Sequence, residues 1–219
     1  MMKITIDGPV ASGKTAVGRA LARRMPARFL DTGMMYRAVT WASIQRKIDF
    51  NDTASLAQLT KSLNIEVVLE GGEQVLKVDG TDITDVLRDS DIEANVSKIS
   101  QIGDVRHELV NQQRVIAATD DIVMVGRDIG TVVIPEADLK IYLDASIQIR
   151  SKRRQDEMRR KGQRVDIEKL VEEIKTRDYM DSNRKDSPLM SADDAFIINT
   201  DRLRIDQVVS LILDSIQKS

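Results

Sequence analysis

The chain has 219 residues, of which 35 are acidic and 33 basic, and its net charge of -2 at pH 7 argues against a basic nucleic-acid coat or an acidic tail. It contains no cysteine and one histidine, which excludes disulfide bonds, thiol nucleophiles, cysteine-ligated metals and histidine-rich metal sites. Aromatic residues make up 3% of the chain, so base stacking with single-stranded nucleic acid is not expected.

The length fits one large domain or a core with an inserted lobe. Residues 1–7 are too few and too polar for a signal peptide, and no apolar run approaches the ~20 residues that a membrane helix needs. We therefore expect a cytoplasmic protein that has no contact with a membrane.

Short β-rich runs alternate with longer stretches of helical periodicity along the chain. The expected strands cover residues 3–7, 29–31, 122–125, 140–143 and 196–198. The face of the first helix is marked by Val17, Ala20, Leu21 and Arg24, and that of the last helix by Ile205, Val208, Val209 and Ile212. Such alternation predicts a parallel sheet with helices on both faces, joined by right-handed crossovers.

The first expected strand leads into a segment that fits the phosphate-loop pattern G-x-x-x-x-G-K-[ST] in full. The segment is Gly8-Pro9-Val10-Ala11-Ser12-Gly13-Lys14-Thr15. Glycines let successive backbone N–H groups face one anion, and the N-terminus of the following helix adds its dipole. Lys14 is expected to reach the outer phosphates of a nucleoside triphosphate, and the hydroxyl of Thr15 to bind Mg²⁺.

Residues 63–87 break the alternation of strands and helices. The apolar run 65–69 is followed by Gly71 and Gly72 and then by a second apolar run at 75–78. Two glycines between such runs are typical of a hairpin, so we predict a small antiparallel insert on the parallel core.

Arg127 and Asp128 follow the apolar run 122–125 at the carboxyl end of an expected central strand, where doubly wound sheets bind ligands. Asp31-Thr32-Gly33 follows the second expected strand in the same way. The chain lacks the D-x-x-G and N/T-K-x-D segments of a switch GTPase. Together these patterns favour a small kinase that transfers phosphate to a small acceptor.

Residues 150–164 are rich in arginine and lysine. A charge run of this kind is usually a solvated helix face. The other interpretation is a mobile arm that closes over phosphates. The composition is compatible with both interpretations, so the position of the segment in the fold is needed to distinguish the solvated helix face from the mobile arm.

Four motifs, in this order, resemble those of the bacterial cytidylate kinase family over essentially the whole chain. They are Ile-Asp-Gly-Pro and Ser-Gly-Lys-Thr within 6–15, Asp-Thr-Gly-Met-Met-Tyr-Arg-Ala at 31–38, Gly-Arg-Asp-Ile-Gly-Thr-Val-Val at 126–133, and Arg177-Asp178 with Asp181 and Asn183-Arg184. The resemblance implies an α/β phosphate-loop core of five parallel strands flanked by helices, with a small antiparallel β insert and a helical lid. It divides a single kinase domain into a core (1–33, 90–149 and 168–219), a nucleoside-monophosphate lobe (34–89) and a lid (150–167).

The resemblance also implies residue roles. ATP would be bound by residues 8–15 with Thr200 and Asp201, and CMP by Thr32, Tyr36, Arg37, Ser97, Arg106, Arg127, Asp128, Arg177, Asp181 and Arg184. Within the CMP set, the acceptor phosphate would be held by Arg37 and Arg127, and the cytosine would be contacted by Ser97, Arg106 and Asp128. The sugar would be reached by Arg177 and Asp181. Arg184 would hold Asp128 in position. Lys14, Arg127 and the lid residues Arg150, Arg153 and Arg154 would be catalytic.

The implied reaction is in-line transfer of the γ-phosphoryl group of ATP to CMP or dCMP, with Mg²⁺ as cofactor. A phosphate acceptor is already anionic near neutral pH, so the reaction needs no general base, and His107 is expected to be structural. The family often carries Asp or Glu just before Gly-Arg-Asp, where this chain has Val125. Because Val125 has no carboxylate, the group that the resemblance implies for holding a water molecule of the Mg²⁺ ion is missing at this position.

Two alternatives belong to other classes. A kinase for another small acceptor, such as shikimate or AMP, would lack the insert at 63–87 and would not need Ser97 and Arg106 as placed. A nucleotide-dependent RNA-binding module would use residues 150–164 and would show binding that falls steeply with salt. The net charge and the few aromatic residues argue against that module, and we expect a monomer with small-molecule substrates and no nucleic-acid partner.

Overall fold

The computed structural model describes residues 1–70, 73–160 and 162–216. Its strands are β1 (Lys3–Asp7), β2 (Arg28–Asp31), β3 (Ile65–Glu70), β4 (Glu73–Val78), β5 (Thr81–Asp82), β6 (Ile122–Val125), β7 (Leu139–Asp144) and β8 (Phe196–Asn199). Its helices are α1 (Lys14–Arg24), α2 (Thr32–Gln45), α3 (Thr53–Ser62), α4 (Ser90–Ile99), α5 (Gly103–Ala117), α6 (Ile147–Arg160), α7 (Ile167–Asn183) and α8 (Ile205–Ile216). A 3₁₀ turn at Asp85–Arg88 and a π-helical turn at Ile129–Val133 complete the described elements.

The predicted parallel sheet is confirmed, with five strands in the order β2-β6-β1-β7-β8. The central strand β1 pairs in parallel with β6 on one side, where Ile6 is opposite Val125, and with β7 on the other, where Asp7 is opposite Tyr142. The chain passes from β1 to β2 on one side of the sheet and from β7 to β8 on the other, so the connections that follow the adjacent strands β1 and β7 run in opposite directions. Ligands of doubly wound sheets bind outside the carboxyl ends of strands at such a point.

The chain divides into two compact units, and the larger one comprises residues 1–29 and 117–219. Its apolar core is built from side chains of the central strands and of α1 and α8, namely Ile4, Ile6, Val17, Leu21, Ala22, Val123, Val125, Ile141, Leu143, Ile198, Val208, Val209 and Ile212. Every residue of β6 is buried, as its unbroken apolar run predicts for a strand covered on both faces.

The predicted buried faces of α1 and α8 are confirmed at residues inside each helix and wrong at one terminal residue of each. Val17 and Leu21 of α1 are buried, but Arg24 is exposed, because it is the last residue of the helix and its charge stays in water. In α8, Val208, Val209 and Ile212 are buried, whereas Ile205 is 48% exposed. Ile205 is the first residue of that helix, ahead of the turns that pack on the sheet.

The smaller unit comprises residues 30–116 and contains a three-stranded antiparallel sheet in the order β3-β4-β5. The strands of the predicted hairpin are confirmed as β3 and β4, whose register places Ile65 opposite Val78. Its predicted turn, Gly71-Gly72, lies outside the described residues. A third short strand, β5, was not predicted, and it follows a turn at Asp79 and Gly80, which both have positive φ angles.

The same unit contains helices α2 to α5, of which α2 packs against α3 and α4. The division of the kinase domain into core, nucleoside-monophosphate lobe and lid stays a prediction, and the lid at 150–167 includes Lys161, which lies outside the described residues. None of the helices in the described part of the chain is both long and apolar enough to cross a membrane.

Candidate active site

The phosphate loop joins β1 to α1 at the carboxyl edge of the sheet. Its backbone is left-handed at Ala11 and Gly13, with φ angles of 58° and 102°, and a side chain at Gly8 would collide with the carbonyl oxygen of Leu143. Lys14 is only 7% exposed, and its Nζ donates to the Pro9 carbonyl oxygen at 2.6 Å. The loop is therefore curled back over its own lysine, as the motif predicts for an anion site.

The start of α6 contacts this loop through Arg150. Nη1 of Arg150 donates to the Val10 carbonyl oxygen at 3.2 Å and to Oδ2 of Asp178 at 2.6 Å. Oδ1 of Asp178 in turn accepts from the Val10 amide at 3.4 Å. Asp178 thus holds both the loop and the arginine, although the sequence assigned it no role because nothing local marks its distant partners.

Arg153, one helical turn later, contacts the other flank of the phosphate loop. It donates to the Ser12 carbonyl oxygen at 3.3 Å, to Oγ1 of Thr200 at 2.9 Å and to the Thr200 carbonyl oxygen at 2.6 Å. Asp201 accepts from the Ser146 amide at 2.7 Å. The structure therefore brings together the loop, Arg153 and the two residues after β8 that the sequence analysis assigned to ATP.

The basic segment 150–164 is not uniform in the structure. Arg150 is buried and Arg153 half-buried, while Arg159 and Arg160 at the end of α6 are exposed. Arg154 donates to Glu157 within the same helix at 2.9 Å. The first part of the segment belongs to the site, and the exposed residues near the end of α6 match a solvated face.

A network of charged side chains follows β6. Nε of Arg127 donates to Oδ2 of Asp181 at 2.8 Å, and Nη2 of Arg184 lies 3.2 Å from Oδ1 of Asp128. Nη1 of Arg184 also lies 3.9 Å from Oδ1 of Asp181. Two adjacent residues after β6 and two residues at the end of α7 therefore form one cluster, in which Arg184 joins the two carboxylates, and Arg127 is oriented by Asp181.

The electrostatics of this cluster are dominated by its arginines. Burial by itself raises the pKa of Asp181, but the charges of Arg127, Arg177 and Arg184 together with the hydrogen bond from Arg127 outweigh it and hold that pKa below its usual value. Asp181 is therefore ionised at neutral pH. The paired charges leave a rigid array of cationic donors at the carboxyl edge of the sheet.

The smaller unit carries the other predicted acceptor residues. Thr32, Tyr36 and Arg37 lie on the first turns of α2, whose N-terminus is capped by Asp31 through the Gly33 amide at 3.0 Å. Arg37 donates from Nε and Nη2 to Oε1 of Glu93 at 3.1 and 3.0 Å. No motif in the sequence marks Glu93, because its partner Arg37 lies on a different helix.

Arg106 is 2% exposed and lies on α5, with its guanidinium 5.5 Å from the centre of the Tyr36 ring. Its Nη1 donates to the Ser100 carbonyl oxygen at 3.1 Å. Ser97 lies on α4 and is half-buried. Within this unit the structure therefore places Tyr36 against Arg106.

No group of three or more His, Cys, Asp or Glu side chains among residues 1–70, 73–160 and 162–216 is arranged to hold a metal ion. Thr15, at the start of α1, is the residue whose hydroxyl fits the phosphate-loop role. Val125 is 1% exposed, and its Cγ1 lies 2.5 Å from the position that a Cβ on Gly18 would take. The side chain at the position where the resemblance leads us to expect a carboxylate is thus apolar and packs directly on the backbone of α1.

Comparison with protein families gives one match over nearly the full length. The family model described as cytidylate kinase matches residues 4–218. A cytidylate kinase of Bacillus subtilis is 42% identical over 217 residues, which cover 99% of this chain and 97% of the relative. A cytidylate kinase of Lactobacillus johnsonii is 39% identical over 218 residues, which cover 100% and 95%.

Two solved structures with the same fold are far more distant in sequence. A gluconokinase from Sinorhizobium meliloti has a TM-score of 0.51 at 12% identity, with 99% of this chain and 92% of that chain covered. An uncharacterized protein from Eubacterium ventriosum has a TM-score of 0.55 at 13% identity, with both chains fully covered. At these identities the likeness concerns the fold alone.

Proposed function

The chain belongs to the cytidylate kinase family and is a nucleoside monophosphate kinase, and we propose that it transfers the γ-phosphoryl group of ATP to CMP and dCMP, forming CDP and dCDP. The observation that carries this proposal is the family match from residue 4 to residue 218. The phosphate loop and the charged cluster after β6 supply the chemical groups that such a transfer requires.

We propose that the donor is held by residues 8–15, with Thr200 and Asp201 beside the adenine. The curled phosphate loop supports this assignment, since its backbone N–H groups and the N-terminus of α1 attract the phosphates. Lys14 would exchange its contacts with Pro9 and Ser12 for phosphate oxygens. Mg²⁺ would be bound by Thr15 together with the ATP phosphates, and its chemistry is to neutralise charge on the phosphates.

For the acceptor, we propose that Arg37 and Arg127 bind the phosphate of CMP and that Ser97, Arg106 and Asp128 read the cytosine. Arg177 and Asp181 would hold the sugar, Arg184 would brace Asp128, and Thr32 and Tyr36 would line the pocket. The ion pairs of Arg127 with Asp181 and of Arg184 with Asp128 support this division, because they fix the guanidinium groups before the substrate arrives.

The mechanism requires positioning and positive charge rather than a proton acceptor. A phosphate monoester has a second pKa near 6, so the attacking oxygen of CMP is already anionic at neutral pH. Lys14, Arg127 and the arginines of α6 would stabilise the charge that spreads over the transferring group. The side chain of His107 then has no chemical role, in line with its assignment as structural.

We also propose that the enzyme works in the cytoplasm as a monomer and binds no nucleic acid. The net charge of -2 and the 3% content of aromatic residues support the last point.

Phosphorus NMR of a mixture of wild-type enzyme, MgATP and CMP tests the reaction type. We expect the γ-phosphorus signal of ATP to be replaced by the signals of ADP and CDP in equal amounts. Release of inorganic phosphate without CDP would contradict phosphoryl transfer to CMP and indicate hydrolysis instead.

Magnesium dependence is expected to survive the loss of the family carboxylate at Val125, because Thr15 and ATP supply inner-shell oxygens. EDTA should abolish activity and added Mg²⁺ should restore it fully. We expect Val125→Asp to change the apparent affinity for Mg²⁺ in a titration of initial rates, and also to lower the melting temperature, since Val125 is part of the apolar core.

The neutral variant Val125→Asn controls for the loss of packing at this position. A change in Mg²⁺ affinity that is specific to the aspartate supports a role for the charge at position 125. An unchanged affinity in Val125→Asp would show that the departure from the family has no effect on the metal.

The segment 150–164 is expected to gain protection from hydrogen exchange when both substrates bind. Apart from those paired with carboxylates, such as Arg150 with Asp178 and Arg154 with Glu157, the like charges of the segment repel one another. When the segment closes, we expect its charges to contact the phosphates, and closure also excludes water from the transferring group. Exchange with and without a bisubstrate analogue measures this, and α8, which carries none of the proposed substrate residues, is the internal control. Equal protection in both states would favour the solvated-helix interpretation.

A further inference from the structure

Asp7 is a buried carboxylate that the proposed mechanism does not use. It is the last residue of β1 and is 4% exposed. Its Oδ1 accepts from the Ile129 amide at 2.9 Å, and its Oδ2 accepts from the Gly130 amide at 2.7 Å. Ile129 and Gly130 begin the π-helical turn, and the first N–H groups of a helical turn have no partner inside it. Asp7 supplies that partner to both.

The turn has little freedom to move away from this contact. A Cβ at Gly130 would lie 2.8 Å from Oγ1 of Thr5 and 3.3 Å from side-chain carbons of Lys140, so its backbone is packed against both neighbouring strands. On the other side, the Gly126 amide donates to the Ile6 carbonyl oxygen at 3.0 Å. Only Arg127 and Asp128 lie between these two attachments to β1.

We propose that Asp7 is a positioning residue for phosphoryl transfer, which holds Arg127 and Asp128 in place relative to the phosphate loop that begins at Gly8. The carboxylate is one residue from the loop on its own strand and directly bonded to the turn that follows Arg127 and Asp128. It therefore links the proposed donor and acceptor machinery of the larger unit through a single side chain. This inference rests on the proposed function, because the roles of Arg127 and Asp128 come from it.

Two hydrogen bonds from amides are strongest when the carboxyl group is ionised. Burial raises the pKa of Asp7 from 3.8 to about 6, the two amides oppose that rise, the charge of Asp128 adds to it and that of Lys14 lowers it. Tyr142 faces Asp7 from β7. The carboxylate is thus mainly ionised at pH 7 and becomes protonated as the pH falls through about 6.

The sign of this shift argues for a functional role. Because the pKa is higher in the folded protein than in the unfolded chain, the folded protein binds the extra proton between about pH 4 and pH 6, and its stability falls as the pH rises through that range. At neutral pH the ionised Asp7 is therefore unfavourable for the fold. A buried carboxylate with a perturbed pKa beside a binding loop is typical of functional sites.

Asp7→Asn keeps one acceptor oxygen but turns an amide N–H₂ toward the other backbone N–H. We expect kcat/KM for CMP to fall by about tenfold to hundredfold at pH 8, because a small displacement of aligned groups has an effect of this size. The ratio of the wild-type value to the Asp7→Asn value should then decrease as the pH falls, with a midpoint near 6. Ionisation of CMP and ATP affects both enzymes equally and cancels in this ratio.

Asp138→Asn is the matched control. Oδ2 of Asp138 accepts from the Lys3 amide at 2.7 Å, which is the same kind of bond at the opposite end of β1. Its kcat/KM should equal that of the wild type at every pH. A ratio for Asp7→Asn that stays constant between pH 5 and pH 8, or one near 1, would overturn the proposal.

The anchor itself can be observed without substrate and without a variant. In ¹⁵N-labelled wild-type protein the amide resonances of Ile129 and Gly130 should shift with a midpoint near pH 6, and this titration decides the matter if Asp7→Asn does not fold. Resonances that do not titrate overturn the anchor. Failure of the wild type to form CDP would instead contradict the proposed function, so the two failures are distinguishable.

Discussion

Lys14→Met is expected to lower turnover by about 10³–10⁵-fold, which is the range observed when a cation that stabilises a transferring phosphoryl group is removed. Lys14 is buried in the curled phosphate loop, where its ammonium group contacts the Pro9 carbonyl oxygen at 2.6 Å and Oγ of Ser12 at 3.4 Å. Methionine matches the length of the lysine stem and lacks the charge. The fold should therefore survive while the charge stabilisation is lost.

Initial rates of ADP formation at saturating CMP and MgATP measure the effect, and circular dichroism with thermal melting checks the fold. Lys175→Met is the matched control, since Lys175 forms an exposed pair with Glu172 on the surface of α7 at 2.7 Å and should be replaceable without loss of turnover. Near-normal turnover in Lys14→Met would contradict the assignment of the phosphate loop.

Arg106→Ala is expected to reduce kcat/KM for CMP strongly. Cytosine has an acceptor at N3 and an amino donor at position 4, whereas uracil has an N–H at position 3 and a carbonyl at position 4. Arg106 is the proposed donor to N3, and a buried polar group that loses its partner costs about 1–3 kcal/mol. That corresponds to a loss of roughly tenfold to a hundredfold in kcat/KM.

Ser97→Ala is expected to act differently. It should lower the ratio of kcat/KM for CMP to kcat/KM for UMP, with little change in the melting temperature. Arg114→Ala serves as the control for Arg106→Ala, because Arg114 lies on the same helix α5 but is exposed. Kinetic constants for both nucleotides and melting temperatures for all three variants are the measurements. Wild-type constants for CMP in Arg106→Ala would exclude Arg106 from base recognition.

The parts of the molecule that could be predicted from sequence are those with a local cause. β1 and β6 have the predicted bounds. β6 is an unbroken apolar run, β1 alternates isoleucines with polar residues, and a glycine directly follows each strand. The phosphate loop is predictable because its glycines, lysine and threonine act through their own backbone and through the helix that follows. Local signals of this kind do not depend on distant parts of the chain.

The contacts that orient the site could not be predicted in this way. Asp178, Glu93 and Asp7 each hold a functional segment through a partner far away in the sequence. Asp7 and Asp178 lie within the motifs that resemble the family, but neither motif indicates which distant group the carboxylate contacts, and no motif includes Glu93. The basic segment 150–164 shows the same limit, because burial of Arg150 depends on Asp178 of α7. Composition alone could not separate it from the exposed Arg159 and Arg160.

Whether the acceptor is a cytosine nucleotide is tested most directly by kcat/KM of the wild type for CMP, dCMP, UMP and AMP at fixed MgATP. Facing uracil, Arg106 and Asp128 would both lose their partners, at about 1–3 kcal/mol each. We therefore predict a preference for CMP over UMP of at least about tenfold, with dCMP accepted and AMP rejected by size. Phosphorylation of UMP as efficient as that of CMP, or of AMP better than either, would contradict the claim.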